Sequence, residues 1–148
     1  MEPNQSKDCF HVPKMVSVYV DKLLETCIIT PTTPWGYQIT LEEVESAIED
    51  RSFESIPWEL VKYREFTEEE RQYHIRRIAY LAFHGWSDPI EIDVGCPCLG
   101  FYTDWLILDG NHRFFAAVVR KDKYILSTIA GELEYAEELF GIEKQIAI

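Results

Sequence analysis

The spacing of apolar positions changes several times along the chain, and each change marks an element. In residues 15–25, Val16, Val20, Leu23 and Leu24 share one helical face, while Val16, Val18 and Val20 alternate as in a strand, so helix and strand both fit. Pro31, Pro34 and Gly36 then break the pattern into a loop. Leu41, Val44, Ala47 and Ile48 form a helical stripe. Thr40 and Glu43 open it as a capping box, each able to satisfy an orphan backbone N–H, and the helix is expected to end at 50–52. Residues 56–61 are apolar around Pro57 and read as an edge strand. Thr67 and Glu70 form a second capping box for a helix over 67–83, stopped by Gly85.

Beyond Gly85, residues 89–94 alternate apolar and acidic side chains, the mark of a strand with one wet face. Residues 95–103 read as a loop and 105–108 as a continuous apolar, buried strand. A helix over 111–120 follows, with Phe114, Phe115, Ala117, Val118 and Val119 as its apolar side. A turn at 121–123, a strand over 124–130 and a helix over 134–140, closed by Gly141, complete the chain. The order from residue 56 is strand, helix, strand, strand, helix, strand, helix. That is a mixed α/β (α+β) domain with helices packed on a small sheet. It spans residues 56–148, with 1–55 as an N-terminal extension carrying one or two helices.

Composition narrows the class. Of 148 residues, 47% are hydrophobic and 14% aromatic, enough for a packed core. There is no run of apolar residues long enough to span a bilayer, and the first residues lack the charged and apolar regions of a secretory signal, so a cytoplasmic protein without a membrane anchor is expected. In that compartment Cys9, Cys27, Cys96 and Cys98 are expected as reduced thiols, and the Cys96-Pro97-Cys98 spacing does not suit a zinc ribbon, so no metal site is expected. The formal net charge of −12 opposes duplex DNA, whose binding depends on lysine and arginine contacts to phosphate.

The densest chemistry lies at Asp109-Gly110-Asn111-His112-Arg113, where an apolar run ends, a glycine turns the chain and a helix begins. The first N–H groups of a helix lack intrahelical acceptors and carry the positive end of its dipole, which favours an anion. Gly110 lets the backbone approach such a group, Arg113 offers a planar fork for phosphate, and His112 offers a donor or a proton carrier. Asp109 could orient a hydroxyl or a metal, or cap the helix. An equally plain reading is a common Asp-Gly turn with an Asn cap and solvated side chains.

Residues 56–131 resemble the ParB/sulfiredoxin-like domain. The features that carry the likeness are Pro57–Val61 in position, the helix ending Phe83-His84-Gly85-Trp86, the strand with Pro89-Ile90, and the box Asp109-Gly110-Asn111-His112-Arg113-Phe114-Phe115-Ala116-Ala117. The resemblance implies a nucleotide, ATP or CTP with Mg2+, whose phosphates meet Gly110, Asn111, His112 and Arg113. It also brings Arg64, in the loop after the first strand, toward phosphate; a surface ion pair is the other reading of that arginine. Asp109 and His112 are then the candidate catalytic residues for phosphoryl transfer or phosphodiester hydrolysis. The chain departs from relatives of this type in telling places. Sulfiredoxins place a cysteine where Asn111 stands, and partition proteins a second arginine where Phe114 stands. The alternative is a non-catalytic acidic interaction or regulatory protein on a degenerate ParB-like scaffold, binding a basic protein partner.

Other residues read plainly. His74, with Glu70 four residues before it and Arg71, Arg76 and Arg77 nearby, reads as part of a solvated helix face. Trp86 is expected to anchor the core and Trp105 to do the same or line a pocket, with Tyr102 and Asp104 within reach of a base or ribose.

Overall fold

The computed structural model describes residues 13–27, 34–61, 68–103 and 105–145. Its class is mixed α/β: among the described residues there are five α-helices and a five-stranded mixed sheet. The elements are β1 (Lys14–Tyr19), α1 (Val20–Cys27), α2 (Leu41–Glu49), α3 (Glu68–His84), β2 (Ile90–Asp93), β3 (Ile107–Asp109), α4 (Asn111–Arg120), β4 (Tyr124–Ala130), α5 (Leu133–Phe140) and β5 (Ile142–Gln145). The chain divides into two compact units, one holding the sheet with α1 and α5, the other holding α2, α3 and α4. Residues before 55 supply β1 and α1 to the first unit and α2 to the second.

In the sheet unit the strand order is β3-β2-β4-β1-β5. Only β2 and β4 run parallel; the other neighbours are antiparallel. The two patterns read in residues 15–25 are both real: alternating Val16 and Val18 are buried along β1, and at Val20 the chain turns helical, burying Val20 and Leu23. β4 shows the same alternation, burying Ile125, Ser127 and Ile129. α1 lies against α5, where the Thr26 hydroxyl donates to the Leu139 carbonyl at 3.1 Å. β5 was not foreseen; it pairs along the outer edge of β1.

β3 corrects the expected buried strand over 105–108. It begins two residues later and lies at the sheet edge, burying Ile107 but leaving Leu108 69% exposed. A continuous apolar run suits a strand covered on both faces, yet here only one residue of the strand is covered. The edge strand expected over 56–61 is instead a 3-10 turn, Trp58–Leu60, with Leu60 N–H bonded to the Pro57 carbonyl at 3.0 Å. Pro57, at φ −63°, enters that turn without needing its missing N–H.

In the helical unit α2 packs along α3, burying Val44, Ala47, Ile75 and Ile78. The first capping box forms as read: Thr40 accepts from the Glu43 N–H at 3.2 Å and donates its own N–H to Glu43 at 3.0 Å. Arg71 ties the two helices by pairing with Glu43, and it also holds Glu68 at 3.0 Å and the Gln38 carbonyl at 3.0 Å. α3 ends where Gly85 takes φ +83°. The second capping box depends on Thr67, which lies outside the described residues. Trp86 is half-buried, its ring under the Arg120 guanidinium at 4.8 Å. Among the described residues no helix is long and apolar enough to cross a membrane.

The cysteines depart from four reduced thiols. Cys96 is disulfide-bonded. Cys27 and Cys98 remain thiols, and burial pushes the Cys27 thiol up to about 12, so it stays protonated. Cys9 lies outside the described residues.

Candidate functional site

The turn singled out in the sequence forms where expected. Asp109 ends β3 exposed, opposite Glu91 of β2 in the strand register. Gly110 takes φ +103°, a conformation that side chains resist, and α4 starts at the next residue. Asn111 is not turned outward. Its Oδ1 accepts from the Trp105 indole N–H at 2.7 Å and its Nδ2 donates to the Ile107 carbonyl at 3.3 Å. The amide thus braces the end of β3, and Trp105 serves that brace. Arg113, in the first turn of α4, is half-buried. Tyr102 is 69% exposed, while Arg64 and Asp104 lie outside the described residues.

His112 leads to a cluster that periodicity did not reveal. Its Nε2 meets Nδ1 of His74 at 2.8 Å, joining α4 to α3 through two imidazoles. Trp35 stacks on both rings, with centroids 4.3 Å from His74 and 4.2 Å from His112. Trp58, Tyr73 and Tyr37 close around His74 at 4.8, 5.5 and 5.7 Å. His74 is therefore fully buried, not part of a solvated face, and Glu70 beside it is 7% exposed and accepts a hydrogen bond from the Tyr37 hydroxyl. One signal lay in the sequence: Glu70 and His74 share a helix face. The partner at His112 is 38 residues away and carries no local signature.

Burial pushes His74 down to about 4. For His112, burial, then the charge of His74, and then the nearby guanidinium groups of Arg77 and Arg113 hold the imidazole well below its usual range. Both rings are neutral at pH 7, and a single ring proton bridges them. His74 Nε2 is buried and has no hydrogen-bond partner among the described residues. A neutral His112 can accept a proton but brings no charge to an anion.

Among the described residues no group of three histidine, cysteine or acidic side chains is placed to hold a metal ion. Asp109 and Glu91 supply only two carboxylates. Comparison with protein-family models, curated proteins and solved structures finds no match to this chain.

Proposed function

We propose that the chain binds a nucleotide, ATP or CTP with Mg2+, through its phosphates at the turn before α4, as its resemblance to ParB/sulfiredoxin-like proteins implies. The observation that supports this most is the glycine at φ +103° opening directly into a ten-residue helix with Arg113 in its first turn. Helix N–H groups, the dipole and a guanidinium together form a phosphate-holding chemistry. Mg2+ arrives on the phosphate oxygens, consistent with the way this ion is usually bound. On this reading Gly110, Arg113 and the backbone of Asn111 and His112 contact phosphate, and Asp109 is the candidate acid for phosphoryl transfer or phosphodiester hydrolysis. Duplex DNA is not the ligand, given a net charge of −12. A cytoplasmic location suits a nucleotide ligand, although the disulfide at Cys96 suits an oxidising compartment better.

The test is a thermal-shift screen of ATP and CTP with and without Mg2+. A ligand at about a hundredfold over its Kd adds roughly 2.7 kcal/mol, which raises Tm by about 5–10 °C in a domain this size. Arg113→Ala is expected to weaken binding by about tenfold or more, and Arg113→Lys to recover only part. A second reading, a non-catalytic interaction protein on a degenerate ParB-like scaffold, draws support from one observation. The Asn111 and His112 side chains are both engaged in internal hydrogen bonds. Absence of any nucleotide shift favours that second reading.

A further inference from the structure

Pro97, Cys98, Glu132, Glu134, Tyr135 and Glu138 line an open cavity of about 340 Å³ in the sheet unit. Three of the six are carboxylates, and no lysine or arginine is among them. Glu132 is the telling one. It is 5% exposed, it makes no side-chain cap to α5, and its carboxylate has no hydrogen-bond or ion-pair partner among the described residues. What contact its side chain keeps is with the open cavity, so its acceptor capacity is presented to that space with no protein group to meet it. Its backbone is fixed by the bond that Glu132 N–H donates to the Gly95 carbonyl at 2.8 Å.

The helix dipole accounts for part of this charge but not all of it. Glu132 and Glu134 stand at the start of α5, where negative charge is favourable. Glu138 stands in its last turn, where negative charge is unfavourable, and four residues from Glu134, where like charges repel. The adjoining loop is apolar and uncovered: Leu99 is 55% and Phe101 65% exposed. We infer that this pocket receives an arginine side chain of a protein partner, with an apolar residue beside it in the partner's chain resting on Leu99 and Phe101. The carboxylates match a guanidinium in charge and as hydrogen-bond acceptors, and the lining also holds Tyr135, an aromatic residue of the kind guanidinium groups stack on. A bare divalent ion is a poor fit, because no three acidic groups are placed to hold one among the described residues. This surface is separate from the turn at Gly110 and does not depend on the nucleotide reading.

The test is a titration of the full chain, followed by 1H–15N NMR, with three probes: the peptide acetyl-Arg-Leu-Phe-amide, its norleucine analogue lacking the charge, and agmatine. The arginine peptide is expected to move resonances of residues 97–99 and 132–138, and to bind at least about fivefold more tightly than agmatine and about tenfold more tightly than the norleucine peptide. Glu132→Gln keeps the shape and removes the charge, and is expected to weaken the arginine peptide by about tenfold. Should Glu132→Gln fail to fold, exposed Glu138→Gln is read instead, with an expected loss of about threefold. Four results overturn the inference: no shifts at these residues, equal affinity for the norleucine peptide, agmatine binding as well as the peptide, or unchanged affinity in the folded carboxamide variant. Binding of Mn2+ at the same residues, seen as paramagnetic broadening at micromolar metal, overturns it in favour of a metal site.

Discussion

Replacing Gly131 with alanine tests a close approach of two backbone segments in the sheet unit. Gly131 sits at φ +91°, and a Cβ added there would collide with the Gly95 carbonyl oxygen and lie 2.8 Å from Gly95 N. Two costs follow. An L-residue in the left-handed region costs about 1–2 kcal/mol. Relieving the collision means moving Gly95 away, and that strains two hydrogen bonds that flank the contact: Glu132 N–H to Gly95 O at 2.8 Å and Val94 N–H to Ala130 O at 3.1 Å. Each contributes about 1 kcal/mol. The sum for Gly131→Ala is about 3–4 kcal/mol. Gly100 provides the internal control, because it has φ +83° but nothing within 4 Å of its added Cβ. Gly100→Ala therefore bears only the backbone cost, about 1–2 kcal/mol. Urea unfolding followed by circular dichroism measures both, and the expected gap of about 2 kcal/mol corresponds to about 4–8 °C in Tm. If the two variants lose equal stability, the steric argument fails and the Gly95–Gly131 contact is softer than its geometry states.

Three further outcomes are expected. Thr40→Ala should cost about 1 kcal/mol by removing the capping box of α2, while Thr40→Ser should cost much less, as read by thermal unfolding. Asn111→Ala should cost about 2 kcal/mol, since it breaks two bonds and strands the Trp105 N–H; a double-mutant cycle with Trp105→Phe should return a coupling of about 1 kcal/mol. Acid should weaken the fold through His74. Its folded pKa, about 4, lies below the ordinary 6.5, so the unfolded chain binds more protons between those values and stability falls as pH drops through that window. By about pH 5 the loss from this residue is roughly 2 kcal/mol, and urea midpoints for His74→Gln should fall less steeply with pH than those of the wild type.

Local patterns carried most of the elements. The Thr40–Glu43 box, the stop at Gly85 and the alternation in β2 each depend on residues a few positions apart, and each is present in the fold. The failures share a different cause. Residues 105–108 are as apolar as a buried strand, but strand order places β3 at an edge, and order is a long-range property. Residues 56–61 have the apolar character of a strand, but Pro57 leads into a 3-10 turn there. Cys96 read as a thiol because the compartment was inferred from the lack of a secretory signal and of a membrane-spanning run, whereas a disulfide depends on which chain segments meet. The acidic pocket was legible only as an excess of charge. Glu132, whose N–H is bonded to the Gly95 carbonyl, is buried while Glu134 and Glu138 are exposed, a difference that no spacing in the sequence announces.

The turn before α4 shows how a correct local reading and a changed role can coexist. The glycine and the helix stand where the sequence put them, yet two of the side chains read as phosphate contacts point to other duties. Asn111 is held by Trp105 and Ile107, and His112 by His74 beneath Trp35. On the nucleotide reading, recognition then rests on backbone N–H groups, the dipole of α4 and Arg113. All of these see phosphate and none sees a base. Base selectivity needs side chains that pair with ring edges, and a site lacking them separates analogues by little. ATP and CTP are accordingly expected to bind within about fivefold of one another, with inorganic triphosphate retaining most of the affinity. Competition of triphosphate against a fluorescent nucleotide measures this. A preference of about a hundredfold for one base, or failure of triphosphate to compete, would show that part of the site lies beyond the turn and that its phosphate chemistry is not what selects the ligand.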